Sequence, residues 1–193
     1  MARVGETIEN PVTGERVTWV ETAASSGGAL LAFDLTARPG GAVAAAHLHR
    51  LQEERFSVHR GSIGLEIAGQ RRLAVEGEQV AVPPRVAHRW WNAGEADAVA
   101  RVELRPALDT ETFFETLFGL ARDGRTNARG IPGVLQVAML YTHHREGSPF
   151  LAGPPVAVQR AVMSVLAPLG RLCARRAVYR TYSPSHPAGG PGP

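Results

Sequence analysis

Residues 41–61 read Gly41-AVAAA-His47-Leu48-His49-RLQE-Glu54-RFSVHR-Gly61, and residues 77–92 read Gly77-EQVAV-Pro83-PRVA-His88-RWW-Asn92. Side chains of a strand alternate between its two faces, so His47 and His49 project the same way, about 7 Å apart. Glu54 begins a later strand in which Phe56 and Val58 share its face, an apolar interior pattern with one carboxylate at its mouth. His88 opens another strand, with Trp90 and Asn92 on its face. Three neutral imidazoles and one carboxylate converging inside a barrel form a mixed nitrogen–oxygen set. That set suits Fe(II), Mn(II), Ni(II), Cu(II) or Zn(II), and suits Ca or Mg poorly. On a metal that accepts six ligands, four from the protein leave up to two positions for substrate, water or dioxygen.

The segments on either side read as β up to about residue 105. Alternating or β-branched runs fall at 15–21, 29–37, 54–60, 62–68, 79–82, 88–92 and 98–104. Turn signals separate them, among them Thr13-Gly14, Ser26-Gly27-Gly28, Pro39-Gly40-Gly41, Gly61, Gly69, Gly77 and Asn92-Ala93-Gly94. Many short strands at this spacing point to a sandwich or a barrel.

The pattern changes near Pro106. Residues 109–122 predict a helix: Asp109 or Thr110 can cap it, and Phe113, Phe114, Leu117, Phe118 and Leu120 supply an apolar face. A loop rich in Gly, Arg and Asn follows at 123–133. Second and third helices are expected at 134–144 and 156–177, the third ended or kinked by Pro168. The expected organisation is a β-barrel at 1–106, a helical extension at 107–182, and a disordered Pro/Gly-rich tail at 183–193.

Composition narrows the classes. A chain of 193 residues with 44% hydrophobic and 20% charged side chains can bury a globular core. The net charge of +3 comes entirely from arginine, since the chain has no lysine. Its excess lies in Arg160, Arg171, Arg175, Arg176 and Arg180, beyond the last acidic residue, Glu146. No compact basic cluster interleaved with aromatics is present, so no nucleic-acid partner is expected. Cys173 is the only cysteine and excludes an intramolecular disulfide. Without an apolar leader or a membrane-length apolar run, a cytoplasmic protein is expected.

The two opening stretches resemble the paired signature motifs of the cupin superfamily. The first motif runs glycine, five residues, His-x-His, three or four residues, Glu, six residues, glycine. The second runs glycine, five residues, Pro-x-Gly, two residues, His, three residues, Asn. Gly41, His47, His49, Glu54 and Gly61 fill the first, and Gly77, Pro83, His88 and Asn92 the second. Arg85 stands where the motif has a glycine, so that turn is expected to be built differently. The resemblance implies a mainly β chain: a cupin barrel (double-stranded β-helix, or jelly roll) followed by an α-helical extension, as in small single-domain bacterial cupins. It implies His47, His49, Glu54 and His88 as ligands of one divalent transition metal (Fe, Mn, Ni or Zn). It further implies a quercetin-dioxygenase-like site acting on a small organic molecule, with Glu54 as ligand and base, and a homodimer. Cupins host many reactions. A redox-neutral zinc cyclase or isomerase, and a non-catalytic small-molecule-binding cupin, are the alternatives.

Neighbouring residues sort by geometry. Glu53 competes with Glu54, but Glu54 has the six-residue gap to Gly61 and the face shared with Phe56 and Val58. His59 falls on the opposite face. His143 and His144 point about 100° apart on a helix and are expected at solvent or an interface. Trp90 and Trp91 alternate, one facing the lumen. Phe56, Val58 and Trp90 are the candidate substrate-pocket residues. The amphipathic stretch 156–182 needs a surface: its own barrel, which is the commoner outcome, a second subunit, or an anionic membrane surface.

Overall fold

The computed structural model describes residues 2–43 and 45–183. Eleven strands and three helices follow in order: β1 (Thr7–Glu9), β2 (Arg16–Glu21), β3 (Leu31–Ala37), β4 (His47–Leu48), β5 (Glu53–Arg60), β6 (Ser62–Ile67), β7 (Gln70–Val75), β8 (Gln79–Val82), β9 (His88–Asn92), β10 (Ala98–Arg105), α1 (Thr110–Arg122), α2 (Val134–His143), β11 (Phe150–Leu151) and α3 (Val156–Leu172). They form two antiparallel sheets, β1-β2-β3-β10-β5-β8 and β11-β4-β9-β6-β7. This is the mainly β jelly roll with a helical extension that the motifs imply.

Alternation explains the core. In β10, Ala98, Ala100, Val102 and Leu104 are buried while the residues between them stay half-exposed. Strand register then lines up Val80, Phe56, Val102, Phe33 and Trp19 as one apolar row across five strands. The next row runs Val82, Glu54, Leu104, Leu31, so the Glu54 carboxylate stands in an otherwise aliphatic line. Helix α1 closes on this core: Phe114 meets Phe33 and Trp19 edge-on, with ring centroids 5.5 and 6.4 Å apart.

The two tryptophans separate as alternation requires. Trp90 is buried inside, and the Trp91 ring lies across Gly64 on the outer face. A Cβ at Gly64 would come 2.2 Å from that ring, so only glycine fits there.

Several expectations need correction. Arg85 does not alter the turn: its φ of 67° is the left-handed conformation a glycine would adopt. Its N–H donates to the His49 carbonyl at 2.6 Å, a bond that offsets part of the conformational cost. Strands β1, β7 and β11 were not legible. β7 is an edge strand, exposed except at Ala74, so it carries little burial pattern to read. β11 belongs to the extension yet pairs with β4, Leu151 opposite His47, which stitches the extension into the barrel sheet.

Pro168 neither ends nor breaks α3. It and Ser164, whose carbonyl loses its helical donor, are both exposed, so water can serve that carbonyl. The helix stops at Leu172, well short of residue 177, because Ala174 turns left-handed at φ 54°. Of the tail expected to be disordered, Ser183 is buried and hydrogen-bonds Glu115, and 184–193 lie outside the described residues.

The packing of α3 is also unlike the expectation. Small residues, Ala167 and Gly170, face α2, and a Cβ at Gly170 would sit 3.0 Å from the Leu135 carbonyl oxygen and Met139. Larger aliphatics, Val158, Val162, Val165, Leu169 and Leu172, remain exposed. Among the described residues, no helix is long and apolar enough to cross a membrane.

Candidate metal centre

Four side chains meet between the sheets. His47 on β4 pairs in register with His88 on the adjacent β9. His49 lies one residue beyond β4, and Glu54 reaches across from β5 in the other sheet. All four are buried, and one ligand atom from each lies within 4.8 Å of the others. The Glu54 Oε2 is 2.6 Å from the His88 Nε2, 3.4 Å from the His49 Nε2 and 3.9 Å from the His47 Nε2. Metal bonds of about 2.1 Å place adjacent ligand atoms about 3 Å apart and opposite ones about 4 Å apart. The cluster has that scale.

The remaining ring nitrogens settle which way the lone pairs face. The His47 Nδ1 is 3.1 Å from the Ala45 carbonyl oxygen, the His88 Nδ1 is 3.1 Å from that of Val86, and the His49 Nδ1 is 3.0 Å from the Gln52 Oε1. Each partner is an acceptor, so each Nδ1 carries the proton and donates it, leaving Nε2 to face the centre. These tautomers are assigned from the partners. Three inward imidazole nitrogens and one carboxylate could hold a divalent transition ion; the residues fit.

His47, His49 and Glu54 open into a cavity of about 290 Å³ with Trp90 in its wall. Its other walls are mostly apolar. Phe113, Phe114 and Leu117 of α1, Ile131 of the loop, and Leu140 and Tyr141 of α2 close it from the extension side. Residues 33–103, the stretch holding all four side chains, match the family described as the cupin domain.

No curated protein matches the chain as a relative. Among solved structures, a predicted oxalate decarboxylase from Thermotoga maritima shares 18% identity over 55% of this chain and 98% of its own, with a TM-score of 0.47. An RmlC-like cupin from Shewanella frigidimarina shares 19% over 55% and 90%, at 0.46. A sugar phosphate isomerase of the cupin superfamily from Silicibacter pomeroyi shares 21% over 49% and 60%, at 0.43. Likenesses this distant bear on neither substrate nor reaction.

One residue of this centre carries no expectation from the sequence. Gln52 is buried, and its Nε2 donates to the carbonyls of Pro106 and Ala107 and to the Thr110 hydroxyl at 2.9–3.1 Å. With its amide so fixed, its oxygen must face His49. Thr110 in turn donates to the Gly147 carbonyl, so a chain of hydrogen bonds runs from a candidate ligand into the extension. The signal was available: Gln52 is two residues before Glu54 and shares its inward face. Replacing Gln52 by leucine is expected to lower Zn(II) affinity about 10- to 100-fold, read by competition with a fluorescent chelator. Unchanged affinity would mean that His49 is oriented without it.

The remaining candidates lie elsewhere. His59 is exposed, as expected from its face. His144 is not at solvent: it is buried, its Nδ1 donating to Asp109 at 2.5 Å. Asp109 consequently makes no side-chain cap on α1, although it occupies the N-cap position. With Arg50 gripping Glu146 at 2.6–2.7 Å, these contacts clamp the 144–148 turn to the barrel. Phe56 and Val58 pack in the core and do not line the cavity, although Phe33 and Val102 of the Phe56 row do. Asn92 closes its own turn, donating to the carbonyls of Ala37 and Ala96 and accepting from the Gly94 N–H.

Proton affinities follow from this packing. Burial opposes ionisation of Glu54, yet hydrogen bonds and charges of His49 and His88 outweigh it and hold its carboxyl well below the usual range. Burial, only partly offset by Glu54, lowers His47 to about 4. His88 goes the other way: burial would lower it, but the hydrogen bond and charge of Glu54 raise it above 6.5. A proton on the His88 Nε2 has to leave before that nitrogen can ligate. Zn(II) affinity is therefore expected to rise with pH through neutrality, about tenfold per unit, and to level off above the His88 titration. His47, neutral throughout that range, adds no further slope. Calorimetric titrations from pH ~6 to ~8 read this; a flat profile would mean that His88 gives up no proton.

Proposed function

We propose that the cupin domain is a metal-dependent enzyme acting on a small, largely apolar organic molecule, with dioxygenase-like chemistry as the leading reading. The observation that carries it is a buried set of three imidazoles and one carboxylate opening into an apolar cavity. His47, His49, Glu54 and His88 would hold the ion. When bound, it supplies Lewis-acid polarisation of a substrate oxygen and, if redox-active, a route for electrons to dioxygen. The chain's own part is positioning. The histidines, each locked by an acceptor on Nδ1, keep their Nε2 atoms aimed at one point. The Glu54 carboxylate stays ionised, which suits a ligand that also accepts a hydrogen bond from a substrate hydroxyl. Its low proton affinity makes it a weak base. The apolar roof from α1 and α2 excludes water and strengthens each polar contact beneath it.

Elemental analysis of natively purified protein, followed by oxygen-electrode assays on enolisable aromatic substrates, tests the reading. Iron, manganese or nickel with dioxygen uptake is the expected result. Zinc without uptake transfers the protein to redox-neutral cyclase or isomerase chemistry. A metal-free protein that binds small molecules equally well after His49→Ala is a binding module.

We also infer a homodimer through α3. Its exposed Val158, Val162, Val165, Leu169 and Leu172 repeat at alternating spacings of four and three, the seam of a self-complementary helix pair. Sedimentation should give a dimer mass that Val165→Glu with Leu169→Glu halves. A monomer that partitions onto anionic vesicles instead would assign the stripe to a membrane surface.

A further inference from the structure

The cavity wall contains a second carboxyl group that the metal-centre reading leaves without a task. Glu15 lies immediately before β2, and with Val17 it lines the same cavity as His47, His49 and Glu54. Its partner is the Thr13 hydroxyl, which donates to it at 2.6 Å. No cation stands against it among the described residues, and burial pushes its carboxyl up to about 7. Near neutral pH such a group both donates and accepts hydrogen bonds. A purely structural role, steadying the Asn10–Glu15 turn through Thr13, needs no carboxyl turned into an apolar chamber, where it is costly to keep.

Its position relative to the metal centre follows from strand order. From β2 to β5 the sheet runs β2-β3-β10-β5, three strand spacings or about 14 Å across the strands. Arg16, next to Glu15, pairs through Thr36 with Val99, which lies about 17 Å along β10 from Leu104, the partner of Glu54. The wall between is apolar: Val17, Leu35, Phe33, Val102 and Leu104, with Phe114 overhead. Along this sheet the chamber thus has carboxyl groups at two separated places and hydrocarbon between them; Arg129, Tyr141 and Gln159 line it from the extension side.

From this arrangement we propose that Glu15 is a specificity-determining residue that hydrogen-bonds a hydroxyl group of the substrate. The molecule the chamber takes carries one oxygen function for the metal centre, an apolar middle, and a hydroxyl at the Glu15 end. This rests on the metal-centre reading for the first contact only; the second depends on Glu15 alone.

Hexadecanoic acid and its ω-hydroxy derivative, about 20 Å long when extended, serve as probes, differing by the one hydroxyl. Calorimetry is run on the full chain loaded with Zn(II) and on the chelator-stripped chain. The hydroxy acid is expected to bind wild-type protein about tenfold more tightly than the parent acid. Glu15→Leu removes that preference, and the isosteric Glu15→Gln, which keeps a donor and an acceptor, retains part of it. The Gln variant also answers for any Leu variant that fails to fold. Equal affinities for wild-type protein, a preference that survives in Glu15→Leu, or no binding of either acid overturns the proposal. The metal reading fails separately: there, stripping the metal leaves both affinities unchanged while the hydroxyl preference still follows Glu15.

Discussion

Alanine at His49 or at Glu54 is expected to abolish stoichiometric metal binding, with Zn(II) affinity falling by more than about a hundredfold. The size of the effect follows from what each side chain does. Replacing a residue that only orients a metal ligand costs about 10- to 100-fold, and these residues would bond the ion directly. Glu54 would contribute the only negative charge among the four, held ionised by His49 and His88 against the cost of its aliphatic row. His49 would contribute a nitrogen whose direction is set through Gln52. Elemental analysis of the purified variants and chelator competition measure the loss. Stoichiometric metal in both variants would sink the four-residue centre.

Alanine at Phe56 is expected to destabilise the fold by about 3–5 kcal/mol while leaving metal binding intact. The side chain is fully buried, lies in register between Val102 and Val80, and touches the core rather than the cavity. Truncation leaves a void that neighbours on two paired strands cannot collapse to fill. Urea denaturation gives the number. A loss below about 1 kcal/mol, accompanied by altered small-molecule affinity, would move Phe56 from the core into the pocket wall.

The two expectations show where residue order suffices and where it does not. Phe56 and Glu54 share a strand face, and alternation alone puts both inside. It does not say that the sheet, curving under α1, leaves Glu54 facing a chamber and Phe56 facing packed side chains. The same holds for Trp90 and Trp91: period two separates them, but Gly64 on a neighbouring strand accounts for where the outer ring lies.

Within the sequence itself lay the β character of the first half, the start of α1, and the four polar residues the structure brings together. These are local or motif-spaced signals, set by strand periodicity, turn glycines and the sign of a short run of side chains. What only tertiary structure decided was everything that depends on partners far along the chain. β11 needs β4 to become a strand at all, Asp109 gives up capping because His144 arrives thirty-five residues later, and Gln52 gains meaning only beside Thr110. Helix α3 hides its small residues against α2 and leaves its large ones outside, a choice its amphipathic pattern could not reveal. Glu15 reads as an ordinary turn carboxylate until the barrel closes and a helical roof takes away its water. Periodicity reports which residues avoid solvent; which of them then meet depends on closing long loops, and that is settled only when the whole chain packs.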